Sequence, residues 1–310
     1  MKVVSIIMPC YNVEQYIQAA LESVFNQTYK NIELIIVNDG STDNTLNIIH
    51  SLISKATVSK SKIIDQQNQG LSEARNSGLK EATGEFIYFF DSDDLMDAEL
   101  VSECVDFMQV NHLDLVHFNC ELLVEDELSI QEEQYFKNKL YEDRKVYTMQ
   151  DFSKKFIHQP RVPVWLYFYR HQFLKEKQLT FYPNLLHEDE LFTTLSLTYA
   201  RKIGFINRKY FIRRLRKNSI MSSSKNMDKK IWSKNVIITE LNEVLKKEKL
   251  NDSQKNLIRG RLFAQMTDLV KMKVRWNANH LSWIFRNGPY VLRYCFKKIQ
   301  RRVVQTSETK

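Results

Sequence analysis

The segment 85-EFIYFFDSDD-94 joins an apolar run to three carboxylates that stand within four residues. The run 86-FIYFF-90 has the length and the aromatic and β-branched content of a buried strand. It therefore predicts a strand that delivers these carboxylates to one edge of a sheet. A second interpretation stays open, in which the acidic residues only cap a helix predicted over 97–110.

Strands and helices alternate on both sides of this segment. Short apolar runs predict strands at 3–8, 32–37, 61–65, 86–90 and 114–118. Apolar residues at helical spacing predict helices over 13–26, from about Thr42 to Ile53, over 71–82 and over 97–110. Strands that are apolar on both faces and alternate with helices are typical of a parallel sheet covered on each side. The prediction for 1–118 is therefore the α/β class.

Two more predicted strands end in polar residues, 9-PCYN-12 and 38-NDGS-41. The carboxyl ends of parallel strands share one edge, which is where open α/β sheets bind ligands. Crowded carboxylates repel one another unless a cation neutralises them, and Mg²⁺ is usually held by one or two carboxylates together with substrate phosphates. The pattern predicts a metal–diphosphate site, with Arg75 as a candidate phosphate contact. Asp39 taken alone is more typical of a turn, but its position beside the end of the Asp91 strand favours a place in this site.

Composition excludes several other classes of protein. The 310 residues are 43% hydrophobic and 26% charged, which suits a folded chain with a sizeable core. A G-x-G-x-x-G after the first strand and a P-loop are both absent from the sequence, which argues against a dinucleotide oxidoreductase and a P-loop enzyme. The four cysteines are far apart, so we expect neither a zinc site nor a disulfide framework, and a reducing compartment. We also expect no signal peptide and no transmembrane helix.

The net charge of +8 hides a division along the chain. Residues 1–200 carry 17 basic and 30 acidic side chains, a net charge of −13, whereas residues 201–310 carry 28 basic and 7 acidic side chains, a net charge of +21. Such an asymmetry indicates an anionic partner, either a membrane or a nucleic acid.

Four segments resemble family-2 glycosyltransferases of the GT-A fold, in that family's order and spacing. They are 4-VSIIMPCYN-12, 37-VNDGSTD-43, 68-NQGLSEARNSG-78 and 85-EFIYFFDSDD-94. The resemblance implies a mostly parallel, Rossmann-like sheet flanked by helices, and transfer of a sugar from a nucleotide-sugar.

The resemblance also implies the residues of the nucleotide-sugar site. Asp39 would accept hydrogen bonds from the base, while Asp91 and Asp93 would form the D-x-D motif that binds Mn²⁺ or Mg²⁺. The segment 210-YFIRRLRKNSIM-221 would close over the diphosphate, although a basic loop facing solvent or lipid remains an alternative for it. The implied set is Pro9, Tyr11, Asn12, Glu14, Asp39, Gly40, Asn68, Gly70, Arg75, Asp91, Ser92, Asp93, Arg214, Arg216 and Ser219.

Two further segments, 164-VWLYFYRHQFL-174 and 187-HEDELF-192, resemble the acceptor side of bacterial polysaccharide glycosyltransferases. This implies that Asp189 is the catalytic base. The implied acceptor contacts are Trp165, His187 and Glu188. Two alternatives stay open: the acidic residues could only favour a helix N-terminus, and Trp165 could equally fill the core.

Residues beyond 120 give a weaker periodic signal. It predicts a loop or edge hairpin over 121–145, helices over 150–158, 165–177 and 188–200, a strand pair over 203–213, and long Lys-rich helices over 229–275. Residues 281–304 alternate aromatic and apolar residues with Arg and Lys, which suits the surface of an anionic membrane. A nucleic acid partner and a packing helix are the alternatives, and we expect no nucleic acid.

The predicted organisation has three parts. They are a nucleotide-sugar-binding half of a GT-A domain over 1–118, an acceptor-binding half over 119–222 and a helical basic C-terminal extension over 223–310. The predicted function is an inverting, metal-dependent glycosyltransferase that moves one sugar from a UDP-linked donor to a lipid-linked oligosaccharide or surface polysaccharide. We expect it in the cytoplasm, peripheral on the inner face of the bacterial plasma membrane.

Two other functions fit the sequence less well. A nucleotidyltransferase on a related α/β scaffold usually has a Gly-rich loop after the first strand, whereas this chain has 9-PCYN-12. A catalytically dead, membrane-docked nucleotide-binding scaffold is disfavoured because both the D-x-D and the Glu188-Asp189 pair are present.

Overall fold

A computed structural model of the chain describes residues 2–124, 140–215 and 227–272, and within these ranges nine strands form one sheet. The strands are β1 (Val4–Cys10), β2 (Ile32–Asp39), β3 (Lys60–Gln66), β4 (Phe86–Phe89), β5 (Leu95–Met96), β6 (Leu115–Val124), β7 (Lys145–Thr148), β8 (Tyr167–Arg170) and β9 (Lys202–Leu215). The helices are α1 (Ile17–Phe25), α2 (Thr45–Ile53), α3 (Leu71–Glu81), α4 (Leu100–Asn111), α5 (Met149–Phe156), α6 (His171–Glu176), α7 (Asp189–Tyr199), α8 (Met227–Lys247) and α9 (Asp252–Lys271).

The first four strands form the parallel part of the sheet, in the order β3-β2-β1-β4. Every residue of β1 and β2 is buried, as expected for strands with helices on both faces. The α/β class predicted for this part of the chain is therefore confirmed, and the carboxyl ends of β1, β2 and β4 lie at one edge.

The later strands extend the same sheet in the order β8-β6-β9-β5, and β7 pairs with β9. β8 runs antiparallel to both β4 and β6, while β6 and β9 are parallel to each other. The sheet is therefore mixed. β6 passes through residue 118, so the two predicted halves of the domain share one sheet, and the division between them stays a prediction.

Helix α3 lies unusually close to the sheet at Gly78. A Cβ atom at this position would stand 2.4 Å from Cγ2 of Ile7 in β1, a distance that no side chain tolerates. Because α3 begins at the carboxyl edge of the sheet, this close packing fixes Arg75, one turn before Gly78, near the ends of β1 and β4.

The structure corrects two sequence predictions. The helix predicted over 165–177 is a 3₁₀ turn at Val164–Leu166 followed by β8 and α6, because a continuous apolar run suits a central strand as well as a buried helix. The strand pair predicted over 203–213 is the single strand β9, whose pairing with β6 shifts register around Asn119 but continues to Leu215. Residues 121–124, at the start of the range for which a loop or an edge hairpin is predicted, continue β6 as a strand.

The described C-terminal residues form two helices that pack beside α7. Their apolar side chains make a second core, separate from the one around the sheet, consisting of Leu185, Leu191, Ile237, Ile238, Leu241, Leu250, Ile258, Leu262, Met266 and Leu269. Among the described helices, none combines the length and the apolar character that crossing a membrane requires. Residues 281–304 lie outside the described residues.

Candidate active site

Asp39 ends β2 and organises the loop before α3. Its carboxylate accepts hydrogen bonds from the side chain of Gln66 at 2.8 Å, from the backbone N–H of Gln69 at 2.9 Å and from that of Gly70 at 2.8 Å. Asp39 is buried, and three bonds leave about one of the four acceptor positions of a carboxylate for a ligand. Asn68 is exposed in the same loop.

Glycine is required on both sides of this loop. Gly40 has a φ of 71°, and a Cβ atom there would stand 2.8 Å from the backbone nitrogen of Asn68. Gly70 has a φ of 87°, a backbone conformation that other residues rarely adopt, and its N–H is one of the Asp39 donors. The loop that follows β2 and the loop that precedes α3 therefore meet closely beside Asp39.

The loop after β1 lies next to the start of α2. Asn12 has a φ of 51°, and its side-chain oxygen accepts a hydrogen bond from the backbone N–H of Thr42 at 2.8 Å. Glu14 accepts one from the backbone N–H of Asn44 at 2.9 Å. Pro9 is buried within β1, whereas the ring of Tyr11 is 48% exposed at the edge. This arrangement leaves the ring of Tyr11 exposed to a ligand.

The carboxylates after β4 differ in their surroundings. Asp91 and Asp93 are partly exposed, while Ser92 and Asp94 are buried. Asp94 accepts a hydrogen bond from the backbone N–H of Arg214 at 2.6 Å. Burial first, and then the charges of Asp93 and Asp91, hold the pKa of Asp94 well above its usual range. Asp94 is therefore a buried carboxyl group that can be protonated and that binds the backbone of Arg214 next to the two accessible carboxylates. The sequence alone does not predict this role.

The donor set fits a hard divalent cation only in part. Within the described residues no group of three His, Cys, Asp or Glu side chains is close enough to hold a metal ion by itself. Asp91 and Asp93 can supply one or two carboxylate ligands, which is the usual share of the protein in a Mg²⁺ site completed by phosphate oxygens and water. The residues thus fit a metal that binds together with a diphosphate.

Arg75 joins the two acidic motifs. Its side chain is 2% exposed, and its guanidinium donates to Asp91 at 2.7 Å and also to Glu188. Burial lowers the pKa of Arg75, but the charges of Asp91 and Glu188 outweigh this and raise it, so the residue stays charged. A cation buried between two carboxylates connects the end of β4 to the start of α7. Its predicted contact with the nucleotide stays a prediction.

Phe181 covers Arg75, and the sequence analysis missed it. The guanidinium lies 5.3 Å from the centre of the Phe181 ring, which also stacks on Phe192 of α7 at 4.1 Å. Asn76 holds the backbone of Phe181 from both sides, since it donates to the carbonyl and accepts from the N–H, both at 2.8 Å. The only sequence signal was that Asn76 follows Arg75 directly.

Asp189 is the first residue of α7 and is partly buried. Burial first, and then the charges of Glu188 and Glu190, raise the pKa of Asp189 well above its ordinary value, although Arg75 opposes them. His187, in a left-handed conformation with a φ of 60°, precedes this group, and burial lowers its pKa. A carboxylate with raised proton affinity at a helix start is suited to accept a proton.

A cleft of about 230 Å³ lies between α5 and α9. Its apolar walls include Phe156, Pro160 and Phe263, and its polar walls include Arg261 and Thr267. Mixed aromatic and hydrogen-bonding walls suit a ligand that has both an apolar face and hydroxyl groups.

The register of the sheet places Asn119, which contacts Arg161, on the same edge as the acidic residues after β4. Through β8, Val116 of β6 is level with Tyr88 of β4, so Asn119 is level with Asp91. Arg161, next to the cleft wall, donates to the side chain of Asn119 at 3.2 Å. Arg261, which lines the cleft, donates to Glu190 in the first turn of α7, so one wall of the cleft adjoins the residue after Asp189.

The remaining predicted residues are placed as follows. Trp165 is buried and stacks on Phe211 at 4.1 Å, which is the packing expected of a core residue. Arg214 donates to the backbone carbonyl of Asp93 at 3.1 Å and lies over the ring of Tyr16 at 5.2 Å. Arg216 and Ser219 lie outside the described residues.

Comparison with known proteins finds one family. The sequence model described as Glycosyl transferase family 2 matches residues 5–172. EpsH of Bacillus subtilis, a putative glycosyltransferase, is 31% identical over 261 residues, which cover 82% of this chain and 72% of that protein. Escherichia coli WfgD, a UDP-Glc:alpha-D-GlcNAc-diphosphoundecaprenol beta-1,3-glucosyltransferase, is 38% identical over 121 residues, which cover 39% of this chain and 46% of that one.

Among solved structures, the chain is similar to Staphylococcus aureus TarS 1-349 in complex with UDP-GlcNAc. The TM-score is 0.71 at 25% identity, and the match covers 89% of this chain and 76% of that one. Several curated relatives are longer than the part that matches: the chain spans 50% of an uncharacterized Haemophilus influenzae glycosyltransferase and 31% of Streptococcus pneumoniae GlyA.

Proposed function

Because the chain belongs to glycosyl transferase family 2, we propose that it is an inverting, metal-dependent glycosyltransferase that moves one sugar from a UDP-linked donor to a hydroxyl of a lipid-linked or polysaccharide acceptor. One observation carries the proposal. Arg75 pairs with Asp91 after β4 and with Glu188 just before α7, so the D-x-D motif and Asp189 share one site. These motifs lie far apart in the sequence, and the fold brings them together around one buried arginine.

The donor side is proposed from the strand ends. Asp39, with one acceptor position left, would accept a hydrogen bond from the base, and the exposed ring of Tyr11 would lie beside it. Asp93 and Asp91 would hold Mn²⁺ or Mg²⁺, which would neutralise the charge that grows on the leaving diphosphate. Arg214, with Arg216 and Ser219, would contact the diphosphate, because a guanidinium matches phosphate geometry.

The chemical step is proposed for Asp189. An acceptor hydroxyl attacks the anomeric carbon, the bond from that carbon to the diphosphate oxygen breaks, and the hydroxyl proton passes to the Asp189 carboxylate. A single displacement of this kind inverts the anomeric centre and needs no second carboxylate as a nucleophile. The acceptor would enter through the cleft between α5 and α9, whose wall residue Arg261 pairs with Glu190, and would contact His187 and Glu188.

The substrate classes are proposed from the relatives. The similar TarS structure contains UDP-GlcNAc, and WfgD uses a diphosphoundecaprenol-linked acceptor according to its name. A lipid-linked acceptor would place this enzyme on the inner face of a bacterial plasma membrane, where residues 281–304 would contact anionic lipid.

A thermal-shift screen of UDP, GDP, CMP and TDP, with and without Mn²⁺, tests the donor site. We expect UDP with Mn²⁺ to raise the Tm by several degrees, since a ligand at 100 times its Kd stabilises by about 2.7 kcal/mol. Asp93→Ala should remove the Mn²⁺-dependent part, whereas Asp106→Ala, at an exposed position of α4, should keep it.

Enzymatic release of UDP from UDP-glucose and UDP-GlcNAc, followed by transfer to synthetic lipid-linked GlcNAc diphosphate, tests the reaction itself. Metal-dependent turnover that survives Asp93→Ala would overturn the metal site. Nucleotide binding without turnover of any donor would favour the dead scaffold.

A further inference from the structure

Arg261 of α9 reaches the catalytic turn of α7. Its side chain is about nine-tenths buried, and its guanidinium donates to the carboxylate of Glu190, the residue after Asp189. The Nε of Arg261 is also buried and has no hydrogen-bond partner among the described residues. Burying an arginine costs free energy of desolvation, and a single ion pair offsets only part of it. This cost points to a specific role for the ion pair with Glu190.

The C-terminal helices hold α7 at both ends. The hydroxyl of Ser233 in α8 accepts a hydrogen bond at 2.9 Å from the backbone N–H of Leu186, just before α7. Gln254 of α9 donates at 2.8 Å to the carbonyl of Thr198 in the last turn of α7. With Arg261 at Glu190 and Gln254 at Thr198, α9 runs antiparallel to α7, and Arg261 lies at the first turn of α7.

Asp189 stands between two carboxylates, and each of them has its own arginine. Glu188 pairs with Arg75 from α3, and Glu190 pairs with Arg261 from α9. We propose that Arg261 is a positioning residue: from the C-terminal extension it neutralises Glu190 and holds the first turn of α7, so that Asp189 can act as a carboxylate. The inference rests on the proposed function only in the base role given to Asp189.

Several charged groups surround the first turn of α7, which begins at Asp189. Glu188, Glu190, Arg75 and Asp91 face Asp189, and the hydroxyl of Tyr169 in β8 lies near it. Arg261 and His187 face Glu190, and Lys230 and Lys234 of α8 face His187. Removing Arg261 would leave the Glu190 charge beside Asp189, and a like charge favours the protonated form.

Selective ¹³C labelling of aspartate carboxyls allows the Asp189 titration to be followed by NMR in the full chain without any substrate. We expect Arg261→Gln to move its midpoint upward by about 1 pH unit, and Glu190→Gln to move it downward. The double variant should return to the wild-type midpoint or below, and Arg261→Lys should stay near wild type because it keeps the charge. Arg259→Gln, at an exposed position of the same helix, is the matched control and should change nothing.

The kinetic counterpart uses UDP release with lipid-linked GlcNAc diphosphate as the acceptor. The acidic limb of kcat should shift in the same order across these variants, while the donor KM stays within about twofold. Unchanged midpoints in both Arg261→Gln and Glu190→Gln would overturn the inference and leave Arg261 a purely structural residue. If Arg261→Gln does not fold, Glu190→Gln alone decides. Shifted midpoints without transfer would sustain the coupling and count against the proposed function.

Discussion

Asp189 is the residue whose surroundings say most about the chemistry. Burial and the charges of Glu188 and Glu190 raise its pKa, so it binds a proton more readily than an ordinary aspartate. A general base works best when its pKa approaches the pH at which the enzyme operates. The same arrangement limits activity at low pH, because Asp189 can accept a proton only when the pH is above its raised pKa.

Asp189→Asn should lower kcat by about 10²–10⁴-fold, the usual contribution of a general base. Nucleotide binding should survive, because the groups proposed to contact the nucleotide lie at the ends of β1, β2 and β4. In the wild type, kcat should rise with pH through a limb above the ordinary aspartate pKa of about 3.9, since the carboxylate is the active form. Stopped UDP-release assays across pH, together with calorimetric titration of UDP, measure both quantities.

The control for this substitution is Asp106→Asn, which removes an exposed carboxylate from α4. It should leave kcat and its pH profile unchanged. If Asp189→Asn abolished UDP binding instead of turnover, Asp189 would belong to the donor site and the base would have to be sought elsewhere.

At the scale of single residues, the sequence predicts which residue types belong to the candidate site better than it predicts which side chains they contact. Crowding of carboxylates after β4 predicts a metal–diphosphate site because repulsion is evident from the sequence itself, and that site stays a prediction. The ion pair between Arg75 and Glu188 could not be predicted, since it depends on how α7 packs against α3. Glu14 illustrates the same limit: its acidic type was noted, but its hydrogen bond to Asn44 is visible only in the fold.

At the scale of elements, Arg75 connects α3, the end of β4 and the start of α7. Replacing it by Met would leave Asp91 and Glu188 without their cation, and breaking a buried pair in this way costs about 3–5 kcal/mol. Arg75→Lys keeps the charge but cannot fork to both carboxylates, so we expect an intermediate loss. Urea unfolding of the three proteins measures the differences.

Lys62→Met is the matched control for Arg75→Met. Lys62 pairs with Glu81, and both side chains are at least 40% exposed, so its removal should cost at most about 1 kcal/mol. If the two substitutions destabilised the protein equally, the link between α3, β4 and α7 would be of no structural importance.

The elements that the sequence predicted poorly share a physical cause. The parallel strands β1, β2 and β4 are short apolar runs between turn residues, and they were all predicted. β8 lies in the middle of the same sheet, but its run 164-VWLYFYR-170 continues directly into α6, so no turn signal separates strand from helix. The sequence predicts two strands where the structure has the single strand β9. The pairing of β9 with β6 continues past an irregularity in register, and this continuity depends on the partner strand and not on the sequence of β9 itself.

At the scale of the whole molecule, the division of charge matches the division of proposed roles. The acidic part contains the carboxylates of the D-x-D motif and of Asp189, and the described C-terminal helices contribute Arg261 to that same site. Residues 281–304 carry six of the 28 basic side chains of residues 201–310 and no acidic one, and for them the sequence alone supports an anionic membrane partner. A membrane would also bring a lipid-linked acceptor to the enzyme.

Removing three tail charges with Lys297→Gln, Lys298→Gln and Arg301→Gln should therefore weaken binding to anionic vesicles. At about 1 kcal/mol per basic side chain near the surface, the loss should be about 100-fold in the partition constant at low salt. Co-sedimentation with phosphatidylglycerol vesicles measures the partition constant, with phosphatidylcholine vesicles as the neutral reference.

The matched control replaces three exposed lysines at and just beyond the end of α8 with Gln, namely Lys246, Lys247 and Lys249. These substitutions remove the same amount of charge as the tail variant. Equal losses in both triple variants would mean that net charge, and not the tail, attracts the protein. Unchanged vesicle binding, with weakened binding to a DNA duplex, would instead identify nucleic acid as the partner of residues 281–304.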